Sequence, residues 1–338
     1  MNDQILNQAI NHYIKENLSP KQEQRDYITA KYAELRDFLS GNCFQAGSYA
    51  RYTATDPVHD LDTIHPSSDI TIQDDPSTVI DSLYGLLEEA YSNSKITKIK
   101  GISRQTHSVT IEFSDAPEAF SVDVVPAIEL PNETNEYGDP LYLVPEILRL
   151  NKHNRQHRYE MKEEKPIGWI KSDPRGYIRA TSDLNADNSN FRHTAKLLKK
   201  WRHACKVVYG DDFRLKSFHL EQIIYEYFLT HPDTTTIIAT TACLAVLPDC
   251  LTEPRFPDRA EPEKFIDEYV ESLTQEQQRL ILRLQADAYN VIRQLPSSNN
   301  AQEVVKHLQK LLTIEKKSSF VSFAPIGRTI IPAQPWGR

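Results

Sequence analysis

The feature that most constrains this chain is a short polar turn followed closely by two alternating carboxylates. Gly47-Ser48 forms the turn, and Asp60-Leu61-Asp62 follows it. Successive side chains of a β-strand point to opposite faces, so Asp60 and Asp62 would share one face while Leu61 turns toward the core. Alone, such a pair is more often a solvated strand end than a site, and a second signal is needed.

A third carboxylate supplies that signal. Asp123 lies between Val122 and Val124, and its side chain would face opposite to theirs. Two neighbouring strands would bring Asp60, Asp62 and Asp123 to one rim of a sheet. Oxygen-rich sites of this kind suit Mg²⁺, which keeps several waters and takes other ligands from a few carboxylates and substrate phosphates. Two such ions can clamp the attacking and leaving oxygens of a phosphoryl displacement.

The polar turn fits the same chemistry. Gly47 has no Cβ and lets the backbone approach a ligand closely, while Ser48 adds a hydroxyl and a backbone N–H for a triphosphate. A lone Gly-Ser is usually just a turn. Its conjunction with three carboxylates is far more specific and suggests a metal-dependent nucleotidyltransferase.

These motifs carry a family resemblance. Residues 47–64, GSYARYTATDPVHDLDTI, resemble the signature of DNA polymerase β-like nucleotidyltransferases, and residues 120–128, FSVDVVPAI, resemble their third-carboxylate strand. Within that superfamily the chain resembles the bacterial cGAS/DncV-like nucleotidyltransferases (CD-NTases) of CBASS anti-phage systems. The resemblance implies an α+β fold: a bilobal polymerase β-like core, a long N-terminal spine helix and an oligoadenylate synthase-like helical lobe. It implies Asp60, Asp62 and Asp123 as catalytic ligands of two Mg²⁺ ions, with Mn²⁺ as a substitute ion.

The second half of the chain is predicted to be helical and carries two further motifs. LLKKW at 197–201 and LKSFHLE at 215–221 resemble the helical lobe of oligoadenylate synthase-like enzymes. In that family the corresponding lysine and serine hold donor phosphates, and the next aromatic residue stacks on the donor base. The resemblance therefore implies Lys200, Ser217 and Phe218 as nucleotide-binding residues. From the residues alone, a surface lysine, a helix cap and a core phenylalanine are the alternatives.

Periodicity and turn signals divide the chain into three parts. We expect residues 1–187 to form the spine helix and catalytic core, 188–317 the helical lobe, and 318–338 a C-terminal tail. Ser19-Pro20 predicts the start of the spine helix, which would end near Gly41.

Composition restricts the partners. The chain has 338 residues, 39% of them hydrophobic, which allows two modest domains. No apolar run approaches the roughly 18 residues of a membrane span, and the polar N-terminus lacks a secretory signal, so we expect a cytoplasmic protein without membrane contact. Four scattered cysteines indicate neither a disulfide framework nor a zinc site. The formal net charge of −8 argues against long nucleic acid, whose binders usually present a basic face.

The residues and the resemblance together predict Mg²⁺-dependent synthesis of a cyclic di- or trinucleotide from NTPs, ATP among them, in anti-phage defence. The resemblance also implies a downstream effector activated by the product, and a CBASS accessory protein that engages the C-terminal tail. Docking of that tail onto the protein's own body is the alternative. Nucleotidyl transfer to an RNA, protein or small-molecule acceptor is the competing enzyme function. A degenerate nucleotide-binding or scaffold module is the non-enzymatic one, and the intact carboxylates argue against it.

Overall fold

The structure is a computed structural model that describes residues 1–94, 97–116, 118–146 and 168–316. Contacts between residues divide it into two compact units. The helical unit contains Met1–Leu18, Leu184–Phe256 and the described residues from Phe265 onward. The sheet unit contains the described residues of Ser19–Asp183 together with Pro257–Lys264.

Helices and strands are numbered along the chain. The described α-helices are α1 (Asp3–Asn17), α2 (Gln22–Phe38), α3 (Gly47–Ala50), α4 (Pro76–Ser92), α5 (Pro174–Asp187), α6 (Asn190–Tyr209), α7 (Ser217–Thr230), α8 (Thr236–Val246), α9 (Gln275–Ile292) and α10 (Ala301–Leu312). The described strands are β1 (Phe44–Gln45), β2 (Asp60–Pro66), β3 (Ile99–Arg104), β4 (Val109–Phe113), β5 (Ser121–Thr134), β6 (Pro140–Glu146) and β7 (Gly168–Ser172). The α+β class predicted from the sequence is confirmed.

The strands of the sheet unit form one mixed sheet. Its order is β1-β2-β5-β4-β3, and β6 pairs with both β5 and β7. β2 and β5 run parallel, whereas the other described pairings are antiparallel. Parallel neighbours need a long crossover, and here α4, β3 and β4 lie between them in the chain. The two strands that carry the predicted carboxylates are therefore direct neighbours in the sheet.

The larger of the apolar clusters in the described part of the sheet unit lies on the face opposite those carboxylates. Leu61, Val122 and Val124 are fully buried in one apolar cluster, to which α2 and α4 contribute Ile28 and Leu87. The alternation predicted for both strands is thus confirmed. It leaves the intervening aspartates on the other face of the sheet.

The spine helix α2 differs slightly from its prediction at the start. It begins at Gln22 with Lys21 in the N-cap position, while Ser19 is buried and precedes the helix. Its end agrees with the prediction: Gly41 has φ of +79°, and its N–H donates to Arg36 O at 2.7 Å. A glycine in the left-handed region is the usual way to end a helix.

The helical unit has its own core, formed by α6 to α10 and by α1. Trp201 and Phe191 of α6 are fully buried in it, and so are Ile10 and Ile14 of α1. The predicted division placed residues 1–187 with the catalytic core; in the structure α1 belongs to the helical unit because its apolar face completes that core. The tail at 318–338 lies outside the described residues. No described helix is both long enough and apolar enough to span a membrane.

Candidate active site

The three predicted carboxylates lie on one face of the sheet, toward the N-terminal ends of β2 and β5. Asp62 and Asp123 are paired in register across these parallel strands, and Asp60 is paired with Ser121. Neighbouring strands lie about 4.8 Å apart, so the side chains of Asp62 and Asp123 stand next to each other. Asp60 is exposed, whereas Asp62 and Asp123 are partly buried. The predicted meeting of the carboxylates on neighbouring strands is therefore present.

Asp123 is held by a residue that sequence reasoning missed. Thr110 on β4 is its register partner, and Thr110 Oγ1 donates to Asp123 Oδ1 at 2.5 Å. On the other side, Thr63 Oγ1 of β2 donates to the backbone oxygen of Asp123 at 3.1 Å. The alternation of β4 could have placed Thr110 on the carboxylate face. Only the strand register shows that it meets Asp123.

The electrostatics at Asp123 favour a nearby cation. Burial raises the pKa of the Asp123 carboxyl above its ordinary value, and the negative charge of Asp60 acts in the same direction. The hydrogen bond from Thr110 opposes both effects by stabilising the ionised form. A partly buried carboxylate next to like charge is stabilised when a cation binds between the groups.

Gly47 lies directly against this carboxylate face. Its φ is +63°, and a Cβ placed on it would stand 1.7 Å from Asp62 Oδ2. The backbone N–H of Ala46 donates to Asp62 O at 2.8 Å, which fixes the start of α3 beside β2. The sequence predicted that a glycine here allows a close approach to a ligand. The approach observed is to Asp62 itself, so the turn and the carboxylate occupy the same small region.

Ser48 anchors the loop that follows. Its backbone oxygen accepts hydrogen bonds from the N–H groups of Thr53 at 3.0 Å and Ala54 at 3.1 Å. The Ser48 side chain is partly buried in the one-turn helix α3. The polar turn and the carboxylates therefore belong to one hydrogen-bonded part of the sheet unit.

The carboxylates on this face are sufficient to bind Mg²⁺, although they form no larger cluster of metal ligands. Among the residues that the structure describes, no group of three or more His, Cys, Asp or Glu side chains forms a metal-binding cluster. Mg²⁺ does not require one, because it is usually bound by one or two carboxylates, with waters and substrate phosphates completing its shell. Asp62 and Asp123 supply the adjacent pair of carboxylates. Asp60 lies on the same face of β2, two residues before Asp62.

The second set of predicted residues lies in the helical unit, on the neighbouring helices α6 and α7. Lys200 is on α6 and is partly buried. Ser217 is the first residue of α7, and Lys216 occupies the N-cap position, so the prediction of Ser217 as the N-cap is wrong by one residue. Phe218 is partly exposed and does not belong to the apolar core of this unit, which disfavours the core alternative.

Two contacts around the start of α7 were not foreseen. Lys199, not Lys200, turns inward: its Nζ lies 3.0 Å from Oε2 of the fully buried Glu221. The Tyr269 hydroxyl accepts the backbone N–H of Lys216 at 3.2 Å and bonds His219 Nδ1 at 2.9 Å. Tyr269 is far away in the sequence, so no local motif could have indicated it. These contacts fix the first turn of α7, which carries Ser217 and Phe218.

One part of the chain matches a known domain. Residues 5–142 match the model of the Second Messenger Oligonucleotide or Dinucleotide Synthetase domain. No curated protein matched the chain.

Three solved structures share the fold. Escherichia coli MS115-1 CdnC in complex with HORMA-deltaN has a TM-score of 0.67 at 18% identity, over 94% of this chain and 98% of that one. CdnC of the same strain with ATP gives 0.65 at 17% identity, over 91% and 98% of the two chains. Escherichia coli DncV bound to 3′-deoxy GTP gives 0.60 at 12% identity, over 90% and 95%. Residues 5–142 are therefore similar to second-messenger oligonucleotide or dinucleotide synthetase domains, and the chain shares the fold of CdnC and DncV.

Proposed function

We propose that this protein makes a cyclic di- or trinucleotide from NTPs in a Mg²⁺-dependent reaction. The observation that carries the proposal is the pairing of Asp62 with Asp123 across parallel strands, with Asp60 on the same face. Such a face is suited to an in-line displacement at an α-phosphorus. When bound there, two Mg²⁺ ions supply Lewis-acid stabilisation of the attacking and leaving oxygens.

The three carboxylates have distinct roles in this reaction. Asp60 and Asp62 would hold both ions, while Asp123 would hold the catalytic one and help to activate the acceptor 2′- or 3′-hydroxyl. The hydroxyl oxygen forms a bond to the α-phosphorus of the donor, the α–β phosphoanhydride bond breaks, and pyrophosphate leaves. Thr110 orients Asp123 through its hydrogen bond to Oδ1.

The remaining predicted residues bind the nucleotide. The backbone at Gly47 and the hydroxyl of Ser48 contact the triphosphate; Gly47 lies against Asp62, and Ser48 follows it in the one-turn helix α3. In the helical unit, Lys200 and Ser217 bind donor phosphates and Phe218 stacks on the donor base. The first-turn position of Ser217 and the exposure of Phe218 support these roles.

The comparisons support a proposal for the cellular setting. The similar structures contain ATP, 3′-deoxy GTP or a HORMA partner, which favours NTP substrates, ATP among them, and an accessory protein for this chain too. We propose that the product activates a downstream effector in anti-phage defence in the cytoplasm. We further propose that the accessory protein engages residues 318–338. Limited trypsin digestion at Arg328 tests this: a tail that resists cleavage in the pure protein is already packed and unavailable.

The activity is tested without any nucleic acid. Purified protein is incubated with labelled NTPs and Mg²⁺, treated with phosphatase, and its products are separated by charge. We expect a small phosphatase-resistant product, because cyclisation leaves no terminal phosphate, and we expect none from Asp60→Asn, Asp62→Asn or Asp123→Asn. Products that are fully phosphatase-sensitive, or that appear only with an added RNA, protein or small-molecule acceptor, would favour the acceptor-transferase alternative.

A further inference from the structure

The start of α7 is held by side chains from outside the helix. Lys216 occupies the N-cap position, and its side chain makes no capping hydrogen bond. Capping requires a side-chain oxygen, such as that of Ser, Thr, Asp or Asn, whereas lysine has only donors. The first backbone bond of the helix, from the Leu220 N–H to Lys216 O, is long at 3.4 Å. The geometry of this helix end therefore depends on contacts from elsewhere in the helical unit.

Two distant side chains make those contacts. Arg202 Nε on α6 donates to Leu215 O at 2.7 Å. Tyr269 lies in the short helical turn Glu268–Ser272, and its hydroxyl accepts the Lys216 N–H at 3.2 Å. Lys216 Nζ also lies 4.7 Å from the centre of the Tyr269 ring. Each of the two residues that precede α7 is thus held by a hydrogen bond to its backbone.

The Tyr269 hydroxyl is itself oriented by a buried histidine. His219 Nδ1 lies 2.9 Å from the hydroxyl oxygen, and His219 Nε2 lies 3.6 Å from Asp267 Oδ2. Asp267 is fully buried and accepts hydrogen bonds from two successive backbone N–H groups. Its carboxylate favours the imidazole proton on Nε2, so Nδ1 is the acceptor and takes the proton of the Tyr269 hydroxyl. The lone pairs of that hydroxyl are then available for the Lys216 N–H.

We propose that Tyr269 is a positioning residue for nucleotide binding, which acts through the first turn of α7 on Phe218. The inference rests on the proposed function, in which Phe218 stacks on the donor base. A first turn that had to be ordered at the moment of binding would lower the affinity, because ordering costs conformational entropy. The hydrogen bond between Tyr269 and the Lys216 backbone orders that turn before the nucleotide arrives.

The test is a double-mutant cycle on the equilibrium affinity for ATP, measured with Ca²⁺ in place of Mg²⁺ to prevent turnover. Tyr269→Phe removes the hydroxyl and keeps the aromatic ring. We expect it to weaken ATP binding about fivefold, the effect of losing one hydrogen bond. In the Phe218→Ala background the same change should weaken binding by less than about twofold, because the ring that it positions is absent.

Tyr209→Phe is the matched control. The Tyr209 hydroxyl also makes two hydrogen bonds, donating to Glu315 O at 3.3 Å and accepting from Arg283 Nη2 at 3.2 Å, and neither involves α7. Its removal should leave ATP affinity unchanged. Thermal melting of both tyrosine variants shows how much stability each hydroxyl contributes and that each variant is folded at the assay temperature.

The outcomes separate the two proposals. Wild-type ATP affinity in Tyr269→Phe, or an equal loss of affinity in Tyr209→Phe, would overturn the positioning role alone. So would a loss in the double variant equal to the product of the two single losses, because Tyr269 would then act independently of Phe218. Unchanged ATP affinity in Phe218→Ala, or no ATP binding by the wild-type protein, would instead overturn the proposed function of the donor site.

Discussion

Gly47 and Asp62 are in such close contact that any side chain at position 47 would have to displace the carboxylate of Asp62. A Cβ there would stand 1.7 Å from Asp62 Oδ2, far inside any contact distance, and the backbone φ of +63° is itself strained for other residues. The glycine therefore sets how closely the turn of α3 packs against β2.

Gly47→Ala should reduce turnover about 100-fold, because a displacement of a reacting group by about 1 Å has an effect of that size. The free energy of unfolding should also fall by about 1–3 kcal/mol. Turnover and urea unfolding are measured on the same preparation.

Gly41→Ala is the control for this variant. Gly41 also has positive φ, at +79°, but a Cβ there meets no atom within 4 Å. It should lose about 1–2 kcal/mol of stability with turnover unchanged. Equal turnover in the two variants would mean that the contact with Asp62 is irrelevant to catalysis.

Thr110→Val should shift the acidic limb of the pH profile of kcat/KM to higher pH. The hydrogen bond from Thr110 lowers the pKa of Asp123, and its loss leaves the two effects that raise that pKa unopposed. More of the enzyme then carries a protonated Asp123 at a given acidic pH, and in the proposed reaction the ionised form is the active one. Thr110→Ser keeps the hydroxyl and should keep the profile; identical profiles for all three proteins would exclude the orienting role.

Phe218→Ala should weaken ATP binding about tenfold while lowering stability only slightly. Stacking on an aromatic ring contributes about 1–3 kcal/mol to binding, and Phe218 lies outside the apolar core. Phe228→Ala is the contrast: that ring is 1% exposed, so its loss should cost about 3–5 kcal/mol of stability. Thermal melts with and without ATP and Mg²⁺ distinguish them. A large fall in the melting temperature of Phe218→Ala at unchanged affinity would restore the core interpretation.

The helical unit should lose stability at acidic pH through His219. Burial lowers the pKa of this imidazole from 6.5 to about 4; the charge of Lys216 acts in the same direction, and Asp267 opposes it. A depressed histidine pKa gives stability that is complete above pH 6.5 and is lost as the pH falls toward 4, on the order of 2–3 kcal/mol for one such group. Urea midpoints measured from pH 7 to pH 4 should fall less steeply in His219→Gln.

His193 offers an independent check of the same effect. Its pKa is also lowered to about 4, mainly by burial. In His193→Gln, the urea midpoint should therefore also fall less steeply between pH 7 and pH 4 than in the wild type. Unchanged slopes in both variants would show that neither histidine controls the loss of stability at acidic pH.

The local sequence pattern was sufficient to predict the carboxylate face of the sheet. It was not sufficient to predict the residues that hold the predicted site residues in place. The alternation of Leu61 between two aspartates, and of Asp123 between two valines, correctly oriented every one of these side chains. The sequence did not reveal Thr110 beside Asp123 or Tyr269 beside Lys216, because each contact depends on how distant segments pair. For the same reason the motif LLKKW could not show that Lys199 turns inward to Glu221.

By itself the sequence determined which face of each strand the three aspartates occupy, because a strand's period of two is a local geometric property. Only the tertiary structure decided that β2 and β5 are parallel neighbours in a register that places Asp62 opposite Asp123. It also decided that α1 joins the helical unit. Both outcomes depend on apolar burial between segments far apart in the chain, and that burial is a property of the whole packed core rather than of any single stretch.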